Sequence, residues 1–132
     1  MYTTFTIPTS GPGLYEFTQN VARWVSGDGV LTLFVRHTSC SLLIQENADP
    51  EVQSDLTEFF HRLVPPSTDP KMAYLTHSYE GPDDIPAHIK AALLRSACRF
   101  LLLAGRWCWE IGKEFTFSNI GPVRTSARLW RK

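Results

Sequence analysis

The side chains able to do chemistry in this chain fall in two short segments. The first is His37-Thr38-Ser39-Cys40, followed at the end of the next apolar run by Glu46, Asn47 and Asp49. The second runs from His77 to Lys90 and carries Glu80, Asp83, Asp84 and His88. Both lie at the ends of regular elements, where rigid scaffolds place functional groups. Histidines at three such ends can converge on one divalent cation. Three imidazoles leave a coordination position open for water or substrate, the arrangement of a catalytic zinc site. Carboxylates such as Glu46 and Asp49 can hold the imidazole N–H groups or act as general base.

Each of these residues also has a plainer reading. Asp49 stands immediately before Pro50, which suits a helix cap. Asp83-Asp84 can be a capping pair, and Glu46-Asn47 can be turn chemistry. Cys40 beside His37 is either a nucleophile or a small buried core residue. His61, between Phe60 and Arg62, reads as structural or surface. The chain has no Gly-rich phosphate loop, no Gly-x-Ser-x-Gly elbow and no His-Glu-x-x-His.

The elements that must position these groups follow from periodicity. Thr3 to Pro8 reads as a strand, ended by the Gly11-Pro12-Gly13 turn. Leu14 to Val25 fits an amphipathic helix with Leu14, Phe17, Val21, Trp24 and Val25 on one side. Val30 to His37 alternates as a strand, with Leu31, Leu33 and Val35 on one face. Ser41 to Gln45 is expected as a neighbouring strand. A helix runs from Asp49-Pro50 to about Leu63, with Val52, Leu56, Phe59, Phe60 and Leu63 at helical spacing. Residues 65–73 form a loop, and Ala73 to Glu80 reads as extended. Pro86 to Leu94 is a short helix, and Phe100 to Leu103 a buried strand. Interspersed strands and helices with too few crossovers for βαβ repeats give an α+β class: a single-domain sandwich of mostly antiparallel strands with a few helices.

Composition bounds the function. A chain of 132 residues with 43% apolar content holds one core-bearing domain. Thirteen basic residues balance thirteen acidic ones, which argues against nucleic-acid or membrane partners. No apolar run approaches the roughly 20 residues that span a bilayer. The Met1-Tyr2-Thr3-Thr4 start shows no signal pattern. The odd set Cys40, Cys98 and Cys108 lacks metal-finger spacing, and a reduced, cytoplasmic protein is expected. The balance is uneven, however. Residues 1–106 carry eight Lys/Arg against eleven Asp/Glu, whereas residues 107–132 carry five against two and three of the four tryptophans.

The two polar segments resemble the signatures of the YjbQ-like family. His37-Thr-Ser-Cys-Ser-Leu-Leu-Ile-Gln-Glu-Asn-Ala-Asp49 is similar to its "HTSA-sLtInENaD" pattern. His77-Ser-Tyr-Glu-Gly-Pro-Asp-Asp-Ile-Pro-Ala-His-Ile-Lys90 is similar to its "H-x-x-E-GPDDMPAHIK" pattern. The resemblance covers about residues 1–106 and implies a homotrimer. Members are often labelled secondary thiamine-phosphate synthases, which join a pyrimidine diphosphate to a thiazole phosphate with release of pyrophosphate. The resemblance implies a divalent metal, zinc first and magnesium second, on His37, His77 and His88. It implies catalytic roles for Glu46, Asp49 and Asp84, and substrate binding by Ser39, Asn47, Asp83 and Lys90. The other reading is a non-catalytic trimeric binding or structural protein that keeps the fold.

After Arg106 the resemblance stops in the printed frame. The family continues with a pattern like "L-x-L-G-T-W-Q-G-I-Y-L-x-E-H-R", which this chain lacks. One permitted codon set for residues 107–121, read two bases later, yields Val-Leu-Gly-Asp-Trp-Gln-Gly-Val-Tyr-Leu-Phe-Glu-His-Arg. Residues 107–132 are therefore expected to be a frameshifted reading of the ancestral end. The altered tail keeps β character at Phe115-Thr116-Phe117 before Pro122, which cannot donate to a sheet ladder. Loss of the late strands is expected to weaken the domain or its trimer unless the tail finds a substitute pairing.

Overall fold

Alternation decides the central strands. Leu31, Leu33 and Val35 are buried in one strand, while Val30 before them and Phe34 between them are exposed. This computed structural model describes residues 1–46, 49–77, 79–107, 113–119 and 125–131, with the side chains of Glu46 and of residues from 107 onward left aside. The elements run β1 (Tyr2–Ile7), β2 (Gly13–Glu16), α1 (Thr18–Ala22), β3 (Gly29–Val35), β4 (Cys40–Glu46) and α2 (Pro50–Leu63). They continue with a single 3-10 turn (Pro70–Met72), α3 (Asp84–Leu93), β5 (Ala97–Leu103), β6 (Arg106–Trp107), β7 (Lys113–Asn119) and β8 (Thr125–Arg131).

Two antiparallel sheets result. One has the order β1-β8-β3-β5-β6, the other β2-β7-β4. In the first, Leu31 pairs with Phe100 and Leu33 with Cys98 across β3 and β5. The core gathers Ile7, Phe17, Val21, Leu31, Leu33 and Leu102, with Phe5 and Trp24 packed edge to face on its border. Buried aliphatic side chains of this kind contribute about 1.5–3 kcal/mol each. The α+β class and the antiparallel pairing agree with the sequence reading. No helix among the described residues is long and apolar enough to cross a membrane.

Four expectations need correction. Residues 13–16 are strand, not helix, and the helix that follows spans only Thr18–Ala22. The apolar spacing of 14–25 is real, and Phe17, Val21 and Val25 do enter the core. Pairing of Tyr15 with Phe117 overrides it locally. Second, β4 does not neighbour β3; it lies in the other sheet, against β7. Third, no strand forms over the described residues of 73–80. Fourth, β5 is buried on one face only, since Leu101 and Leu103 are exposed while Cys98, Phe100 and Leu102 are buried. As for the tail, β7 covers Phe115-Thr116-Phe117, and β7 and β8 pair with four strands of the body. Pro122 lies outside the described residues.

Candidate functional site

His37 lies just past the end of β3, in the short connection that crosses to β4. The backbone N–H of Ser39 turns back and lies 3.1 Å from His37 Nδ1. The Ser39 hydroxyl lies 2.8 Å from the same nitrogen. A backbone N–H can only donate, so Nδ1 is the acceptor and the neutral ring carries its proton on Nε2. Ser39 is buried, so the imidazole is fixed by a group that does not reach solvent.

The second segment turns at Gly81, whose φ of 110° lies in the region that favours glycine. The turn is held to the preceding loop by a bond from the Ser67 N–H to the Pro82 carbonyl, at 2.8 Å. It brings His77 and Glu80 back over the start of α3. His77 Nε2 stands 3.2 Å from Asp84 Oδ2 and 3.7 Å from Glu80 Oε2. One turn down α3, His88 Nε2 stands 3.7 Å from the same Asp84 oxygen. The Tyr79 ring meets the His77 ring edge-on with centroids 4.2 Å apart.

Asp84 Oδ2 is buried yet accepts no well-aligned hydrogen bond among the described residues. A buried carboxylate oxygen in that condition is costly. One ligand atom each from His77, Glu80 and Asp84 lies within 4.8 Å of the others. An imidazole and two carboxylates fit a hard or borderline divalent cation, zinc or magnesium.

Among the described residues, the cluster of closely spaced ligand atoms includes His77 but neither His37 nor His88. Asp84 links His77 to His88. His88 and His37 line a separate cleft of about 580 Å3, walled by Phe34, Cys40, Ala91 and Ala92. Two of its lining residues are joined by a bond from the Val35 N–H to the Ser96 carbonyl at 2.8 Å. Asp49 caps α2, accepting the Glu51 N–H at 2.9 Å, which is the plainer of its two readings. Asp83 precedes α3 without a side-chain cap bond. Lys90 is half-buried; burial pushes its ammonium below the ordinary value, and the Asp83 charge acts the other way. Neither residue lines the cleft. The Glu46 side chain and Asn47 lie outside the described residues.

Glu80 received no role from the sequence, although its i, i+3 spacing from His77 in the His-x-x-Glu motif is a signal for it. Arg36, which lines the cleft beside His37, carried no motif signal.

The comparisons with known proteins identify the family, and its sequence model runs past Arg106, where the resemblance was expected to stop. The sequence model of the "UPF0047 protein YjbQ-like" family matches residues 3–124. A UPF0047 protein of Synechocystis is 45% identical over 104 residues, covering 76% of this chain and 68% of that protein. UPF0047 protein YjbQ of Escherichia coli O157:H7 is 41% identical over 78 residues, 59% of this chain. The chain spans only about half (53%) of that relative's length. Among solved structures, a conserved hypothetical protein of Thermus thermophilus superposes with a TM-score of 0.84 at 28% identity, covering 98% of this chain and 99% of that one. An uncharacterised YjbQ/UPF0047 protein of Clostridium acetobutylicum gives 0.80 at 23% identity, over 100% and 99% of the two chains, and shows the fold alone. With both signature segments and the fold in agreement, the chain belongs to the YjbQ-like UPF0047 family.

Proposed function

We propose that this protein is a metal-assisted enzyme acting on a phosphorylated small molecule, of the thiamine-phosphate-synthase type. The observation that carries the reading is the buried, unsatisfied Asp84 Oδ2 with the nitrogens of His77 and His88 at 3.2 Å and 3.7 Å. His77, Glu80 and Asp84 would hold the cation, with His88 adjoining. A bound divalent ion supplies Lewis-acid neutralisation of diphosphate oxygens. The chain's own residues do the rest. Ser39 fixes the His37 ring, and Tyr79 packs beside His77. The cleft between the His37 turn and α3 gives the substrate an apolar wall at Phe34, Ala91 and Ala92.

Metal analysis of the purified protein tests the first half, with His88→Ala and Asp84→Asn as controls. Turnover of the pyrimidine diphosphate and thiazole phosphate, followed by pyrophosphate release, tests the second. A protein with stoichiometric metal and no turnover supports the other reading, a trimeric binding protein. That reading draws on two open apolar surfaces. Val30, Phe34, Leu101 and Leu103 are all more than 40% exposed on the outer face of β3 and β5. Helix α2 has no buried residue, and Phe59 and Leu63 are over half exposed. A homotrimer covering such surfaces is part of both readings.

A further inference from the structure

The polar lining of the cleft is one-sided in its chemistry. Arg36, His37, Thr38, His88 and Ser96 line it, and among the described residues no Asp or Glu does. The carboxylates of this end of the molecule, Glu80 and Asp84, sit instead with His77. The His37 ring has a fixed sense. Its Nδ1 lone pair is taken by Ser39, so Nε2–H is the ring's only remaining polar edge, and that edge donates. A histidine that ligates a cation through Nε2 needs the opposite arrangement, with the proton on Nδ1. A guanidinium, an N–H edge and two hydroxyls with no competing carboxylate select an anion with several oxygens.

We propose that this cleft is a phosphoryl-binding subsite in which Arg36 and the Nε2–H of His37 hold the anion, and that His37 is a hydrogen-bond donor to substrate instead of a cation ligand. The apolar wall of Phe34, Val35, Ala91 and Ala92 favours a phosphate carried on a flat organic group. The buried Ser39 acts as a positioning residue that sets the ring's tautomer. His88 stands between the two subsites, facing Asp84 at 3.7 Å while lining the cleft. The inference rests on reading the site as one for phosphorylated substrates, but it does not need the cation.

Titration of the full chain with phenyl phosphate in the presence of a chelator therefore tests it apart from the metal. Saturable binding is expected. Arg36→Gln and His37→Phe should each weaken it about tenfold or more, the size of a lost charge-assisted hydrogen bond. Arg62→Gln, on the exposed surface of α2, should titrate like the unsubstituted protein. Inorganic phosphate should bind more weakly than phenyl phosphate, having no ring to place against Phe34. Nitrogen-15 NMR gives a second readout that does not depend on variants. His37 Nδ1 should remain unprotonated throughout a zinc titration. No saturable binding, an Arg36→Gln variant that binds normally, tighter binding of inorganic phosphate, or zinc moving the His37 proton to Nδ1 would each overturn the proposal. Intact phosphate binding without turnover would count against the enzymatic reading alone.

Discussion

His77 and Asp84, on opposite sides of the Gly81 turn, meet at 3.2 Å between Nε2 and Oδ2. The bond geometry leaves the carboxylate oxygen unsatisfied and buried. The turn therefore assembles a polar pair whose buried carboxylate oxygen has hydrogen-bonding capacity to spare.

Asp84→Asn should lower affinity for zinc by at least about tenfold, the scale seen for groups that hold a metal site together. Competition with a chromophoric chelator measures it. Equal affinity for the variant would remove Asp84 from the site. His88→Ala should have a smaller effect, since His88 stands further from the shared oxygen and is more exposed.

Leu33→Ala should destabilise the fold by about 2–5 kcal/mol, the range for a fully buried leucine. Its side chain is 0% exposed, and its strand joins both β5 and β8. Urea unfolding measures the loss. A change below about 1 kcal/mol would mean that the core closes over the missing atoms.

Lys90 gives a pH dependence with a definite sign. Burial lowers its value in the folded state below the ordinary 10.5. The unfolded chain then binds more protons in the window just below 10.5, so stability should rise with pH through that window. Below the folded value both states are charged, and the penalty is fully present. Lys90→Met should raise stability at neutral pH and remove this part of the rise. Asp83→Asn should do the reverse at neutral pH, because the Asp83 charge supports the ammonium. Denaturation midpoints across alkaline pH decide the matter, and a flat profile in the unsubstituted protein would refute it.

The double variant Leu101→Lys, Leu103→Lys should reduce a trimer to about one third of its mass, by placing charge on the exposed face of β5. Light scattering after size exclusion reads this directly. A trimer unaffected by the two charges would point to the α2 surface as the contact.

The reading-frame expectation has its own test. Sequencing the encoding DNA around codon 107 should show Trp-Gln-Gly codons in the neighbouring frame. Codons unable to encode them there would end the proposal. A chain stopped after Arg106 should also fail to unfold cooperatively, because it lacks both β7 and β8.

Much of this molecule was legible in its sequence, for identifiable reasons. Asp49-Pro50 announced α2 because a cap and a first-turn proline act locally, and the Glu51 N–H bond is the result. The alternation of Leu31, Leu33 and Val35 marked the buried face of β3 for the same reason. Residues 13–16 misled because their partner Phe117 lies about a hundred residues further along the chain, and no local pattern reports such a pairing. The gathering of His77 and His88 followed from the signature segment. The sense of the His37 ring did not, since it depends on which ring nitrogen the Ser39 backbone engages. Glu80 was overlooked because its motif position was read as spacing and not as a ligand.

The placement of β8 has a consequence for synthesis. Tyr2 pairs with Trp130, and Ile7 with Thr125, so β1 finds its partner more than a hundred residues further along the chain. β8 is also the strand that joins β1 to β3. Closing a loop of that length carries a large entropic cost before any contact rewards it. During synthesis the larger sheet therefore stays split, with the hydrophobic faces of β1 and β3 uncovered, until β8 has been made.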